Sequence, residues 1–208
     1  MNHITKLINL LQVTRLMPQY GYVLGGIKDP SNLAEHHYLV TMIGWQLARM
    51  AKTAGANIDI EKVLGFTLIH DLGELFGGDI SMPYAKANPE ARKYAKLFES
   101  ENHKFLSKFF GNDQKHFKEL SNEILDANSD ESRIAKIADY MEVTHYKYFV
   151  GKYSDKDLNL AMAKIQKMLE DMKDKIAKEE LQKFILEWSK EVGVGQFDQQ
   201  IRLMIEGE

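Results

Sequence analysis

Residues Ile60 to Glu74 read IEKVLGFTLIHDLGE. Val63, Leu64, Phe66, Leu68 and Ile69 cover most of the circumference of a helix, so this segment is expected in the middle of a helical assembly, and Asp59 stands where an N-cap is needed. The helix ends on His70 and Asp71. Gly73, Gly77 and Gly78 then predict a turn or a broken helix through Pro83. An ionisable pair at the end of so apolar a segment is costly to bury without compensation. A divalent metal would supply it, since a neutral imidazole and a carboxylate both donate to one. Alternatively, Asp71 caps the next turn and His70 bonds a backbone carbonyl, and the adjacent pair alone does not decide.

Working outward, four prolines and the near absence of alternating apolar and polar runs favour an all-α bundle. Ile4, Leu7, Ile8, Leu11 and Leu16 give a first helix with one apolar face, followed by a loop from Met17 to Pro30. A second helix runs from a Ser31 N-cap to about Thr53, before Gly55. Asn88-Pro89 starts another that reaches about Phe110. Helices over Gln114 to Leu125 and Asp130 to Phe149 follow, the latter turning Ile134, Ile137, Ala138 and Met141 inward with Asp139 inside that stripe. After Ser154 come two longer amphipathic helices and a short terminal one. Met162, Ile165, Met168, Leu169 and Met172 form a stripe for the core or a subunit interface. No repeat or linker interrupts the chain, which is read as one domain over 1–208, with its main body over about 12–150 and helices from 154–208 packed on it.

The 208 residues are 44% hydrophobic and 27% charged, as in ordinary globular proteins, and the formal charge of −3 gives no support for a nucleic-acid polymer as partner. With no cysteine, a metal site must use His and carboxylate ligands. The first eleven residues do not read as a signal peptide, and no stretch approaches the roughly 20 apolar residues of a membrane span. A cytoplasmic protein with no membrane partner is the expectation.

Two further residues join the pair. His36 lies on the second helix and Asp139 in an apolar helical stripe, so three core helices each carry a candidate ligand, and bundles do build metal centres between facing helices. His103 and His116 sit among lysines on amphipathic helices and are expected at the surface.

At this point Leu33-Ala34-Glu35-His36-His37, His70-Asp71-Leu72-Gly73-Glu74, Gly78-Asp79-Ile80-Ser81-Met82-Pro83 and Ile134-Ala135-Lys136-Ile137-Ala138-Asp139 together resemble the HD-domain superfamily of metal-dependent phosphohydrolases. The likeness is closest to the branch of 5′-deoxynucleotidases. It implies a helical HD-domain fold with additional C-terminal helices, and one divalent transition metal ion (Mn, Co, Fe, Ni or Zn) held by His36, His70, Asp71 and Asp139. It also implies catalytic roles for Glu74, which could take a proton from water, and for Asp79, which could bond the sugar or protonate the departing alkoxide. Glu123 matches an acidic position of many relatives, although a solvated helix face explains it equally well.

The resemblance implies hydrolysis of a small phosphate ester, in the first place a deoxynucleoside monophosphate, by a homodimer. An HD phosphodiesterase, a hydrolase of a non-nucleotide phosphate ester, and a metal-stapled nucleotide-binding module without turnover are the rival readings. Where relatives carry Arg and Trp in the loop before the second helix, this chain has Gln19 and Tyr22, with Gly25 at a further Arg position. Gln19 and Tyr22 are therefore the candidate substrate contacts, Tyr22 stacking a base or barring a 2′-hydroxyl.

Overall fold

The computed structural model describes residues 2–77 and 79–206, with only the backbone of Leu24 and Met82. Gly78 of the Gly78–Pro83 motif lies outside the described residues. Within them all regular structure is helical, apart from an isolated antiparallel bridge between Pro18 and Asn32. The α-helices are α1 (His3–Leu11), α2 (Leu33–Thr53), α3 (Ile60–Ile69), α4 (Met82–Ala87), α5 (Pro89–Ser107), α6 (Gln114–Asp126), α7 (Asp130–Phe149), α8 (Asp155–Glu170), α9 (Lys175–Glu191) and α10 (Phe197–Glu206).

Local chemistry sets the helix starts. The Asp59 carboxylate accepts from Lys62 N at 3.2 Å, the Asn88 side chain from Ala91 N at 3.1 Å, and Ser129 and Ser132 close a capping box at the head of α7. The expected Ser31 cap is corrected by one residue: Asn32 caps α2 by accepting from Glu35 N at 3.1 Å. Ser31 is held in the preceding chain instead, its carbonyl bonded by Gln19 N and its amide by the Tyr146 hydroxyl.

The main core joins Val40, Leu47, Ala48 and Ala51 of α2, Val63 of α3, Ile134, Ile137, Ala138 and Met141 of α7, Ile165 and Leu169 of α8, and Leu181, Ile185 and Trp188 of α9. The methionine stripe lies there: Met172 is buried, and Met162 and Met168 pack against the cluster. The first helix departs from expectation, since Ile4 and Ile8 are 53% and 52% exposed, while Leu10 and Leu11 pack on the body and His3 lies against Gly111. Leu68 is exposed too, so α3 is covered on most but not all sides.

Gly44 sets how closely α2, α3 and α7 approach. A Cβ there would lie 2.8 Å from Thr67 Cγ2 and 3.6 Å from both Ala138 Cβ and Val63 Cγ1. Thr67 is one turn before His70, and Ala138 adjoins Asp139, so this contact bears directly on the spacing of the candidate ligands. Gly44→Val should destabilise the fold by about 1–3 kcal/mol through overpacking. Thermal unfolding should register roughly 2–4 °C per kcal/mol in a chain of this size. Gly25→Ala, with nothing within 4 Å of the added carbon, should leave the midpoint nearly unchanged.

Candidate functional site

His36, His70, Asp71 and Asp139 converge, each offering a ligand atom within 4.8 Å of the others. His36 Nε2 lies 3.1 Å from His70 Nε2, 3.5 Å from Asp71 Oδ2 and 3.4 Å from Asp139 Oδ1, and His70 Nε2 is 3.4 Å from Asp71 Oδ2. The outer ring nitrogens are engaged elsewhere. His36 Nδ1 donates to Glu142 Oε2 at 2.6 Å and His70 Nδ1 to the Thr67 carbonyl at 2.9 Å. Neutral rings anchored in this way direct two bare lone pairs at each other beside two carboxylates, which is unfavourable without a positive charge between them. The spacings suit one ion at about 2.0–2.2 Å from each ligand.

The electrostatics carry the same demand. Burial works to lower the pKa of His36, but its bonds to Asp139, Asp71 and Glu142 outweigh burial and leave it raised, so a proton on His36 can stand in for a cation. Burial acts to raise Asp71 and Asp139. Asp71 is nevertheless held low chiefly by His70 and His36, and Asp139 chiefly by its bond to His36. Both stay ionised. The imidazoles are 0% and 1% exposed while the two Asp side chains keep 18% and 16%, so the cluster opens on its carboxylate side.

After Asp71 the chain tightens into a 3₁₀ turn over Leu72–Phe76. At about three residues per turn, Asp71 and Glu74 lie on one side of it. Burial, then the charges of Asp71, Asp79 and Glu99, push the Glu74 carboxyl well above the usual carboxylate range. Asp79 is also raised by burial, against the opposing effect of Gly21 N, which donates to its Oδ2 at 2.9 Å. Asp79 thereby ties the loop of Gln19 and Tyr22 to the cluster. Tyr22 is buried with its ring against Tyr146, centroids 4.6 Å apart, leaving little of its face for a base. Burial and the carboxylates of Glu142, Asp139 and Asp71 raise the Tyr22 hydroxyl, which marks it as facing the site.

His103 is corrected: it is 3% exposed. Its Nε2 accepts from Gly73 N at 3.1 Å and its Nδ1 donates to Ser121 Oγ at 2.9 Å, while Asn102 Nδ2 donates to the Gly73 carbonyl at 2.7 Å. Burial lowers its pKa to about 4, in keeping with the neutral ring. A Cβ on Gly73 would sit 2.5 Å from that ring and 3.0 Å from Glu99 Cγ, so α5 clamps the turn that carries Asp71 and Glu74. His116 is exposed as expected, and Glu123 pairs with Lys62 at 2.6 Å on the surface.

The sequence pattern gives no role to Glu142, Lys136 or Glu99, all of which the structure sets around the cluster. Glu142 and Lys136 stand three residues after and before Asp139 on one helical face, a spacing that was available as a signal. Burial works against the Lys136 charge, but Asp139 and Asp71 outweigh it and hold the ammonium.

Residues 15–184 match the sequence profile of the family described as HD domain. A 5′-deoxynucleotidase of Vibrio parahaemolyticus is 32% identical over 38% of this chain and 42% of its own length. A 5′-deoxynucleotidase of Photorhabdus laumondii is 27% identical over 67% of this chain and 72% of its own length. The chain thus spans about two fifths of the Vibrio protein and nearly three quarters of the Photorhabdus one. A crystal structure of a Pyrococcus horikoshii protein superposes with a TM-score of 0.65 at 24% identity, covering 91% of this chain and 98% of that one, which speaks for the fold alone. A conserved hypothetical protein of Pyrococcus furiosus gives 0.61 at 27% identity over 80% and 95%.

Metal analysis after reconstitution should find about one transition-metal equivalent per chain in the parent protein and none retained in His70→Ala or Asp139→Ala. Glu142→Gln should keep the stoichiometry while weakening affinity by about 10–100-fold, the usual effect of losing the partner that orients a ligand histidine. Full occupancy in Asp139→Ala would remove that residue from the ligand set.

Proposed function

The chain belongs to the HD domain family, and we propose that it is a metal-dependent phosphohydrolase that removes the 5′-phosphate of a deoxynucleoside monophosphate. The observation that carries this reading is the coincidence of a cluster demanding a cation with buried polar atoms that lack a partner. Among the described residues those atoms are Gln19 Oε1, Tyr22 OH, His37 Nε2 and Ser81 Oγ. Gln19 and Tyr22 lie on the loop tied down by Asp79, Ser81 follows Asp79 by two residues, and the His37 ring is 4.9 Å from His70. Each such group costs about 1–3 kcal/mol when unmet. The 3′-hydroxyl of a deoxyribose can meet one or two of them next to a phosphate. Burial, followed by the His70 charge, lowers His37 to about 3, so its ring is neutral and meets a hydroxyl rather than an anion. The relatives named 5′-deoxynucleotidase support the choice of sugar and ester.

Two imidazoles and two carboxylates without sulfur suit Mn, Co, Fe, Ni or Zn. Such an ion, when bound, would polarise a phosphate oxygen and acidify a water. In this reading Glu74 takes the proton of the attacking water as its oxygen closes on phosphorus. The ester P–O bond then breaks, and Asp79 gives a proton to the departing sugar oxygen. Lys136 keeps a positive charge beside Asp139 and Asp71 as charge builds on the phosphate. Gln19 and the Tyr22 hydroxyl hold the sugar.

The direct test offers metal-reconstituted protein deoxynucleoside and ribonucleoside monophosphates, a cyclic nucleotide and an aryl phosphate, with released phosphate as readout. Deoxynucleoside monophosphates should be turned over fastest, and preference for a cyclic nucleotide or an aryl phosphate would overturn the proposal. Glu74→Gln should retain the metal and lose about two or more orders of magnitude in kcat. Tyr22→Phe removes one hydroxyl and should lower kcat/KM on the deoxynucleotide several-fold, in line with about 0.5–1.5 kcal/mol for one hydrogen bond.

A further inference from the structure

Helix α5 carries Arg92, Lys96, Glu99 and His103 at a spacing that puts them on one face. The inner end of this stripe is fixed at the cluster, since His103 accepts from Gly73 N and Glu99 packs where a Gly73 Cβ would be. Lys96 and Arg92 stand about 4.5 and 10.5 Å further along the axis from Glu99. There, Pro89, Arg92, Lys93, Lys96 and Leu97 line an open cleft of about 380 Å³. Lys164 of α8 lies close enough that, after burial, Arg92, Lys86, Lys167 and Lys96 lower its pKa, so α4, α5 and α8 all contribute positive charge. Among the described residues none of Lys86, Arg92, Lys93, Lys96, Lys164 and Lys167 forms an ion pair, although the whole chain is net negative at −3. Of these, Arg92, Lys93 and Lys96 line the cleft itself, and unpaired cations so placed repel one another and favour an anion between them.

Tyr146, on α7, packs on Tyr22 of the loop, and Gly21 of that loop donates to Asp79, so the loop reaches the cluster through α7 and Asp79, whereas α5 reaches it through Gly73. The loop with neutral hydrogen-bonding groups and the basic helix α5 thus approach the cluster on different elements. A sugar on the loop side leaves the cleft side for further negative charge.

We infer that the cleft lined by Arg92, Lys93 and Lys96 holds a second phosphate of the ligand whose first phosphate lies at the His–Asp cluster. This rests on the phosphohydrolase reading and widens the ligand class to nucleotides bearing more than one phosphate.

Calorimetric binding to metal-loaded Glu74→Gln protein, which should bind without turnover, tests it with deoxyadenosine 5′-monophosphate, deoxyadenosine 5′-diphosphate and orthophosphate. The diphosphate should bind at least about tenfold tighter than the monophosphate, as charge-assisted contacts to one more phosphate would give. Adding Arg92→Gln and Lys96→Gln should reduce that preference to about twofold, whereas Lys115→Gln with Lys118→Gln, an equal loss of charge on α6, should leave it intact. Equal affinities for the two nucleotides, or a preference that survives the α5 changes, overturns the inference. So does orthophosphate binding alongside the monophosphate at the cleft with no advantage for the diphosphate, since the site then serves a free anion. A diphosphate preference that depends on Arg92 and Lys96, in a parent protein that releases no phosphate from any nucleotide, would uphold the cleft and overturn the hydrolase reading alone.

Discussion

Two imidazole nitrogens 3.1 Å apart, each with its other nitrogen already donating, are the constraint on which the rest of the site depends. Packing three helices tightly brings His36, His70 and Asp139 together, and that packing is favourable only if the charges and lone pairs it collects are neutralised. A cation satisfies all four groups at once. A proton on His36, supported by Asp139, Asp71 and Glu142, is the substitute available to the chain alone.

The supporting structure follows from this. Gly44 allows α2 to approach Thr67 and Ala138, which set the spacing of the four candidate ligands, and Glu142 and the Thr67 carbonyl orient the two rings. On the other side, Asn102 and His103 hold both polar groups of the Gly73 peptide, which fixes the turn carrying Asp71 and Glu74. The carboxylate side stays partly open, with the Asp79-anchored loop beside it.

Much of this was legible in the sequence because it is written in local chemistry. Asp59, Asn88-Pro89 and Asp130 mark helix starts that the structure keeps, and the four convergent residues were named from motif order. What was not legible depends on contacts distant in sequence. Lysines around His103 suggested an exposed helix face, yet Asn102, His103 and Ser107 form part of a buried stripe whose partner is a peptide group 29 or 30 residues away, which apolar periodicity does not report. Ser31 lost the cap to Asn32 because the Pro18–Asn32 bridge keeps it extended. The apolar face of α1 promised burial that Leu7, Leu10 and Leu11 supply only in part. Glu142 and Lys136 stand one turn either side of Asp139, but a pattern of candidate ligands does not include the groups that orient and balance them.

The most direct test is a crystal structure of the metal-reconstituted protein with diffraction recorded on both sides of the metal absorption edge. One anomalous peak is expected within about 2.0–2.3 Å of His36 Nε2, His70 Nε2 and a carboxylate oxygen of each of Asp71 and Asp139. A peak elsewhere in the chain, or a His36–His70 contact kept at 3.1 Å with no metal between the rings, would contradict it.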